Sequence, residues 1–317
     1  MKLFLKMTYI VLLLLLGTFL GLIIYTYRWN ITNPNKSHSV TVDNYTRRFI
    51  YHIPKQLSPN PKLIIAYHGS KLKGFMMQIF TGHEFDLLAD KYKDAIIVYP
   101  EGYKGHWNDC RKEAPFEAKQ KNLNDVEFTQ KIIDFFKTEY SINEKEIFAV
   151  GYSNGGFMVF RLANEKSSVF KSFAVISSNL PVNANYIKNN LQSPISLIYF
   201  SGMKDEIVPY EGGEVFVNEA SYGFVRSTQE TLDYWLNVNN SDSSNAIAKF
   251  KNKNEEITAI KTDYFSNSSG KKISVIKMFD GGHTIPNQNF RLPIKAIGKM
   301  NKEVDAPQLI WDFFMDK

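Results

Sequence analysis

From Met7 to Tyr27 the chain carries no charged residue, and Leu12 to Leu16 is an unbroken leucine block. As a helix rising 1.5 Å per residue, this stretch is about 31 Å long, the thickness of a bilayer's hydrocarbon core. Tyr25, Tyr27, Arg28 and Trp29 follow as an aromatic and basic collar suited to the membrane interface. A cleavable signal peptide would have a shorter apolar region ending in small residues, and no such site is found. Residues 7–27 are therefore expected to span a membrane, with secretion after cleavage as the alternative. Lys2 and Lys6 and the short N-terminal tail favour a cytoplasmic N-terminus, which puts the rest on the extracytoplasmic side.

Beyond a polar tether around Pro34, assigned to residues 31–44, the pattern changes to short apolar runs separated by helical stretches. Strands are expected at Arg47 to Ile53, Lys62 to Tyr67, Ala95 to Tyr99, Ile147 to Val150, Phe173 to Ile176, Ile195 to Phe200 and Ile273 to Phe279. The apolar spacing of Val126, Phe128, Ile132, Ile133 and Phe136 predicts a helix over Asp125 to Tyr140, and further helices are expected at Phe157 to Asn164 and Ala306 to Phe314. Continuous apolar strands alternating with helices imply an α/β fold, a mostly parallel central sheet with helices on both faces, over residues 45–317. Such sheets carry their chemistry in loops at the carboxyl ends of the strands. Asn237 to Glu256, rich in Asn, Ser and Lys, reads as a surface insertion.

Composition removes several function classes. Setting aside Lys2, Lys6 and Arg28 leaves 35 basic against 32 acidic residues, about +3, and no basic run is interleaved with aromatics. Nucleic acid is not an expected partner. With Cys110 alone, no intrachain disulfide, redox pair or cysteine zinc site can form. The six histidines show no metal-ligand spacing, so neither metal nor other cofactor is expected.

Candidate chemistry centres on Gly151-Tyr152-Ser153-Asn154-Gly155, lying between the strand ending at Val150 and a helix. Strand, G-x-S-x-G, helix is the setting of a nucleophile elbow, in which small flanking residues let the chain reverse tightly around an exposed serine. A serine hydroxyl needs a base, and the base needs an orienting carboxylate, in the chain order serine, acid, histidine for this architecture. His283 is the one histidine after Ser153. Asp205, in the loop after Ile195 to Phe200, is the favoured acid, with Glu206 and Asp280 as alternatives. The oxyanion donors are expected to be the N–H groups of Asn154 and Ser70, with Gly69 or Lys71 as alternatives to Ser70. Trp107, Tyr152 and Tyr210 each line the substrate pocket or pack in the core.

These segments resemble α/β-hydrolases of the polyhydroxybutyrate depolymerase, feruloyl and acetylxylan esterase type (carbohydrate esterase family one). The resemblance rests on Arg48 to Pro54, His68-Gly69, Asn124 to Phe128, Gly151 to Gly156, Asp205 to Gly213 and Gly281 to Thr284, together covering roughly residues 45–290. It implies ester hydrolysis through Ser153, Asp205 and His283. Secreted members often carry disulfides, which this chain cannot form. The lack of a Ser/Thr-rich linker and second domain points to small soluble or cell-surface esters instead of insoluble polymer. A peptidase or acyltransferase on the same fold, or a non-catalytic binding module, are the competing expectations.

Overall fold

Five consecutive parallel pairings build the middle of the sheet, and the reason is visible in its strands. The computed structural model describes residues 35–186, 193–217, 220–241, 243–266, 268–291 and 295–316. Strands β3 (Lys62–Tyr67), β4 (Ala95–Pro100), β5 (Ile147–Tyr152), β6 (Ser172–Ile176) and β7 (Ser196–Gly202) are buried almost throughout. Apolar side chains on both faces let each strand be covered twice. Leu63, Ile65 and Tyr67 pack on one side, with Phe128, Ile132 and Phe136 of the helix Asp125–Tyr140 and with Phe157 and Phe160 of the helix Asn154–Glu165. Ile64 and Ala66 point the other way, towards Met77 and Phe80 of the helix Gly74–Phe80, Phe85 and Leu88 of Glu84–Tyr92, and Ile310, Trp311 and Phe314 of Ala306–Phe314.

With β1 (Lys36–Val42), β2 (Tyr45–His52), β10 (Ser243–Lys251), β11 (Ile257–Phe265) and β12 (Lys272–Met278), the sheet has ten strands in the order β1-β2-β4-β3-β5-β6-β7-β12-β11-β10. Pairing is parallel from β4 through β12, while β2 on one flank and β11 and β10 on the other are antiparallel. A separate hairpin, β8 (Gly213–Val217) and β9 (Ala220–Val225), follows β7. Residues Ser37–Lys317 form one compact unit. This is the mostly parallel α/β architecture that the apolar runs predict, in the α/β-hydrolase arrangement that the resemblance implies.

Two expectations are corrected. The sheet begins at Lys36, inside the segment 31–44 read as a tether. Asn237 to Glu256 is not a surface insertion: it holds the end of the helix Thr228–Asn239, all of β10 and the turn into β11. Edge strands face water along one side, so their polar residues mask the strand pattern. The span at residues 7–27 lies outside the described residues. Among the described residues no helix is long and apolar enough to cross a membrane.

Candidate active site

The turn after β5 is as tight as the glycine pattern requires. Ser153 takes φ 54° and ψ −122°, a strained conformation for a non-glycine residue, and the helix begins at the next residue. A Cβ on Gly151 would come within 2.2 Å of the Gly155 carbonyl oxygen, and one on Gly155 within 2.2 Å of that of Tyr67. Neither position tolerates a side chain while the strand and helix keep this approach.

His283 lies across from the elbow, in the loop after β12. Its Nε2 is 2.9 Å from Ser153 Oγ, and its Nδ1 is 2.8 Å from Asp205 Oδ2. A carboxylate can only accept, so Nδ1 carries the proton and Nε2 is left to accept from the serine hydroxyl. Asp205 is held in turn: its Oδ1 accepts from the amides of Ile207, at 2.9 Å, and Val208, at 2.8 Å. The imidazole is fixed through its backbone, the His283 amide donating to Ile297 O and its carbonyl accepting from the Tyr152 hydroxyl, both at 2.7 Å. Of the alternative acids, Glu206 is exposed and Asp280 pairs with Lys299.

The loop after β3 supplies the opposite wall. The Gly102 amide donates to His68 Nε2 at 2.9 Å, which makes Nδ1 the protonated nitrogen, and Nδ1 donates to Gly69 O at 2.7 Å. Burial holds this imidazole neutral, pushing its pKa down to about 4. With the Gly69 carbonyl turned to His68, the Ser70 N–H of the same trans peptide faces the other way. The Lys71 amide is already committed to Gly105 O at 2.9 Å, which removes that alternative. Asn154, first residue of its helix, presents its amide where the helix dipole favours negative charge.

Trp107 takes the core alternative. It is fully buried beneath the site, where its Nε1 donates to His68 O at 2.8 Å and its amide to Asn154 Oδ1 at 2.9 Å. It therefore braces both sides of the prospective oxyanion pocket without lining the cavity. Tyr210 is also absent from the cavity wall; its carbonyl accepts from the Thr228 amide at the start of a helix. Tyr152 does line the cavity, a space of about 240 Å³ that opens on Ser153, Asn154, Ser70 and His283. The rest of the wall was not read from the sequence: Leu72, Phe80, Phe157, Val215 and Tyr222 supply apolar surface, and Arg111 a cation. Val215-Phe216-Val217 shows no inside–outside alternation in the sequence, so nothing there marked this wall in advance. Cys110 is wholly buried, its thiol pKa raised by that burial. Among the described residues no group of three or more His, Cys, Asp or Glu could hold a metal ion.

No protein-family model matches the chain. It is 25% identical over 214 residues to the bifunctional acetylxylan esterase/xylanase XynS20E of Neocallimastix patriciarum, covering 65% of this chain but 29% of that protein. It is 24% identical over 274 residues to a protein of Aspergillus terreus described as "Probable feruloyl esterase C", with 84% and 83% covered. Among solved structures it superposes on an acetyl xylan esterase from Aspergillus awamori with a TM-score of 0.56 at 14% identity, covering 89% of this chain and all of the other. The chain has the α/β-hydrolase fold and is similar in sequence to carboxylic ester hydrolases of the feruloyl and acetylxylan esterase type.

Proposed function

We propose that the protein is a serine esterase that cleaves carboxylic esters through an acyl-enzyme, anchored in a membrane by residues 7–27 with its catalytic body outside the cytoplasm. The observation that carries the chemistry is the continuous hydrogen-bonded chain from Ser153 through His283 to Asp205, at the mouth of an apolar cavity. His283 Nε2 takes the hydroxyl proton as Ser153 Oγ attacks the ester carbonyl, and Asp205 stabilises the imidazolium. The N–H groups of Asn154 and Ser70 receive the oxyanion. Collapse expels the alcohol, which leaves with the proton from His283. Water, deprotonated by the same nitrogen, then releases the acid and restores the serine.

The substrate class follows from two considerations. Relatives named for acetylxylan and feruloyl esters favour ester over amide cleavage, and the cavity volume suits a small acyl group. Small aryl, acetyl-sugar and hydroxyalkanoate esters, free or at the cell surface, are the substrates we assign. Ser153→Ala should lower kcat on a short-chain p-nitrophenyl ester by about 10⁴-fold or more while leaving the circular dichroism spectrum intact. The variant should also lose labelling by a fluorophosphonate probe. Turnover that survives in Ser153→Ala would refute the assignment.

A further inference from the structure

Arg111 reaches the wall of the Ser153 cavity, yet the reaction just described gives it no task. Its side chain is 2% exposed. Nε donates to both oxygens of Asp109, at 3.2 and 3.1 Å, and Nη2 donates to Oδ2 at 2.5 Å. The guanidinium is also held by its face: Cζ lies 3.8 Å from the centroid of the Phe157 ring and 5.4 Å from that of Phe116. The fork therefore has one orientation, with the Nε–Nη2 edge spent on Asp109. Nη1 has no acceptor among the described residues.

Asp109 cannot turn to serve that nitrogen. Its Oδ1 also accepts from the Arg111 amide at 2.9 Å, and its Oδ2 from Asn154 Nδ2 at 2.5 Å. Nη1 is therefore the edge of the guanidinium left open to the cavity, where the rest of the wall is largely apolar. The incoming substrate is the group able to supply the missing acceptor. Phe157, on which the guanidinium lies, is one helical turn beyond Ser153, its amide donating to the Ser153 carbonyl. Both Arg111 and Ser153 line the same cavity. The alcohol must leave for water to enter, whereas the acyl group stays on Ser153 through both half-reactions. A donor fixed in the cavity wall can therefore hold the acyl arm throughout the reaction.

Resting on the esterase reading, we infer that Arg111 Nη1 is a substrate-binding donor: the preferred acyl group is an apolar arm ending in an oxygen acceptor. The acceptor is a carboxylate or a neutral oxygen, which present the same lone pairs to the fork.

The test compares p-nitrophenyl hexanoate with its 6-methoxy analogue and with mono-p-nitrophenyl adipate, on the full-length protein. At least one oxygen-tipped ester should exceed the hexanoate by about 10- to 100-fold in kcat/KM, mainly through a lower KM. Which one leads tells the neutral acceptor from the charged one. In Arg111→Met the ratio should collapse towards one, and in Arg111→Lys, whose point charge cannot serve Asp109 and substrate together, it should fall partway. A purely structural arginine would slow all three esters alike and leave the ratio standing, which overturns the inference. So does a wild-type ratio within about twofold of one, a result that needs no variant to fold. Failure of the esterase reading looks different: none of the three would be hydrolysed faster than by Ser153→Ala.

Discussion

His68 never touches the reacting atoms in the proposed mechanism, but it decides which way a peptide faces. Its neutral tautomer, with Nδ1–H on Gly69 O and Nε2 accepting from Gly102, fixes the Gly69–Ser70 peptide with the Ser70 amide opposite that carbonyl. Protonation would place a second N–H against the Gly102 amide, donor against donor. Burial resists this, holding the pKa at about 4 against an ordinary 6.5. Between those values the unfolded chain binds a proton that the folded chain does not, so stability falls as pH drops through that window. The contribution is complete above pH ~6.5, and about 3 kcal/mol of it is lost by pH ~4. Urea unfolding at pH 7.5, 6, 5 and 4.5 should show it, with a slope shallower by about one proton in His68→Gln. Identical slopes for wild type and variant would remove His68 as the source.

At the scale of elements, the helix Thr228–Asn239 ties the hairpin side of the site to the sheet. Ser227 Oγ accepts from the Glu230 amide at 3.1 Å, and Glu230 Oε2 accepts from the Ser227 amide at 2.8 Å. This reciprocal cap starts a helix that packs Leu232 and Trp235 into the core. At its far end Asn239 bonds both the amide and the carbonyl of Ile195, just before β7. Ser227→Ala should cost about 1 kcal/mol, read as a lower urea midpoint with an unchanged m-value. Lys62–Tyr67 and the helices Asp125–Tyr140 and Ala306–Phe314 have the predicted bounds, because a strand covered on both faces leaves a continuous apolar run and a helix packed by one face leaves clean helical spacing. The hairpin at 213–225 was not read as such, since Phe216 and Phe224 are exposed and break the expected inside–outside pattern. Ser153, Asp205 and His283 were legible through residue type and chain order. Arg111 and Tyr222 were not, since their meeting at one cavity depends on loops that approach only in the folded chain.

The whole molecule arranges its chemistry along one edge of the sheet. Ser153 follows β5, Asp205 follows β7, His283 follows β12, and the His68-Gly69-Ser70 loop follows β3, all at carboxyl ends of parallel strands. The membrane anchor proposed for residues 7–27 has its own test. In fractionated cells the full-length chain should sediment with membranes and resist alkaline carbonate extraction, whereas recovery in the soluble fraction would refute the anchor.

One consequence concerns the hairpin. The stretch 213–225 leaves the sheet after Asp205 and returns before the Ser227 cap, contributing Val215, Val217 and Tyr222 to the cavity and none of the proposed bond-breaking groups. Part of the wall that meets a substrate is thus written in a passage of the chain separate from the proposed bond-breaking groups. A different hairpin of equal span between the same two anchors would present a new wall to the same serine, so substrate choice can diverge here without rebuilding the catalyst.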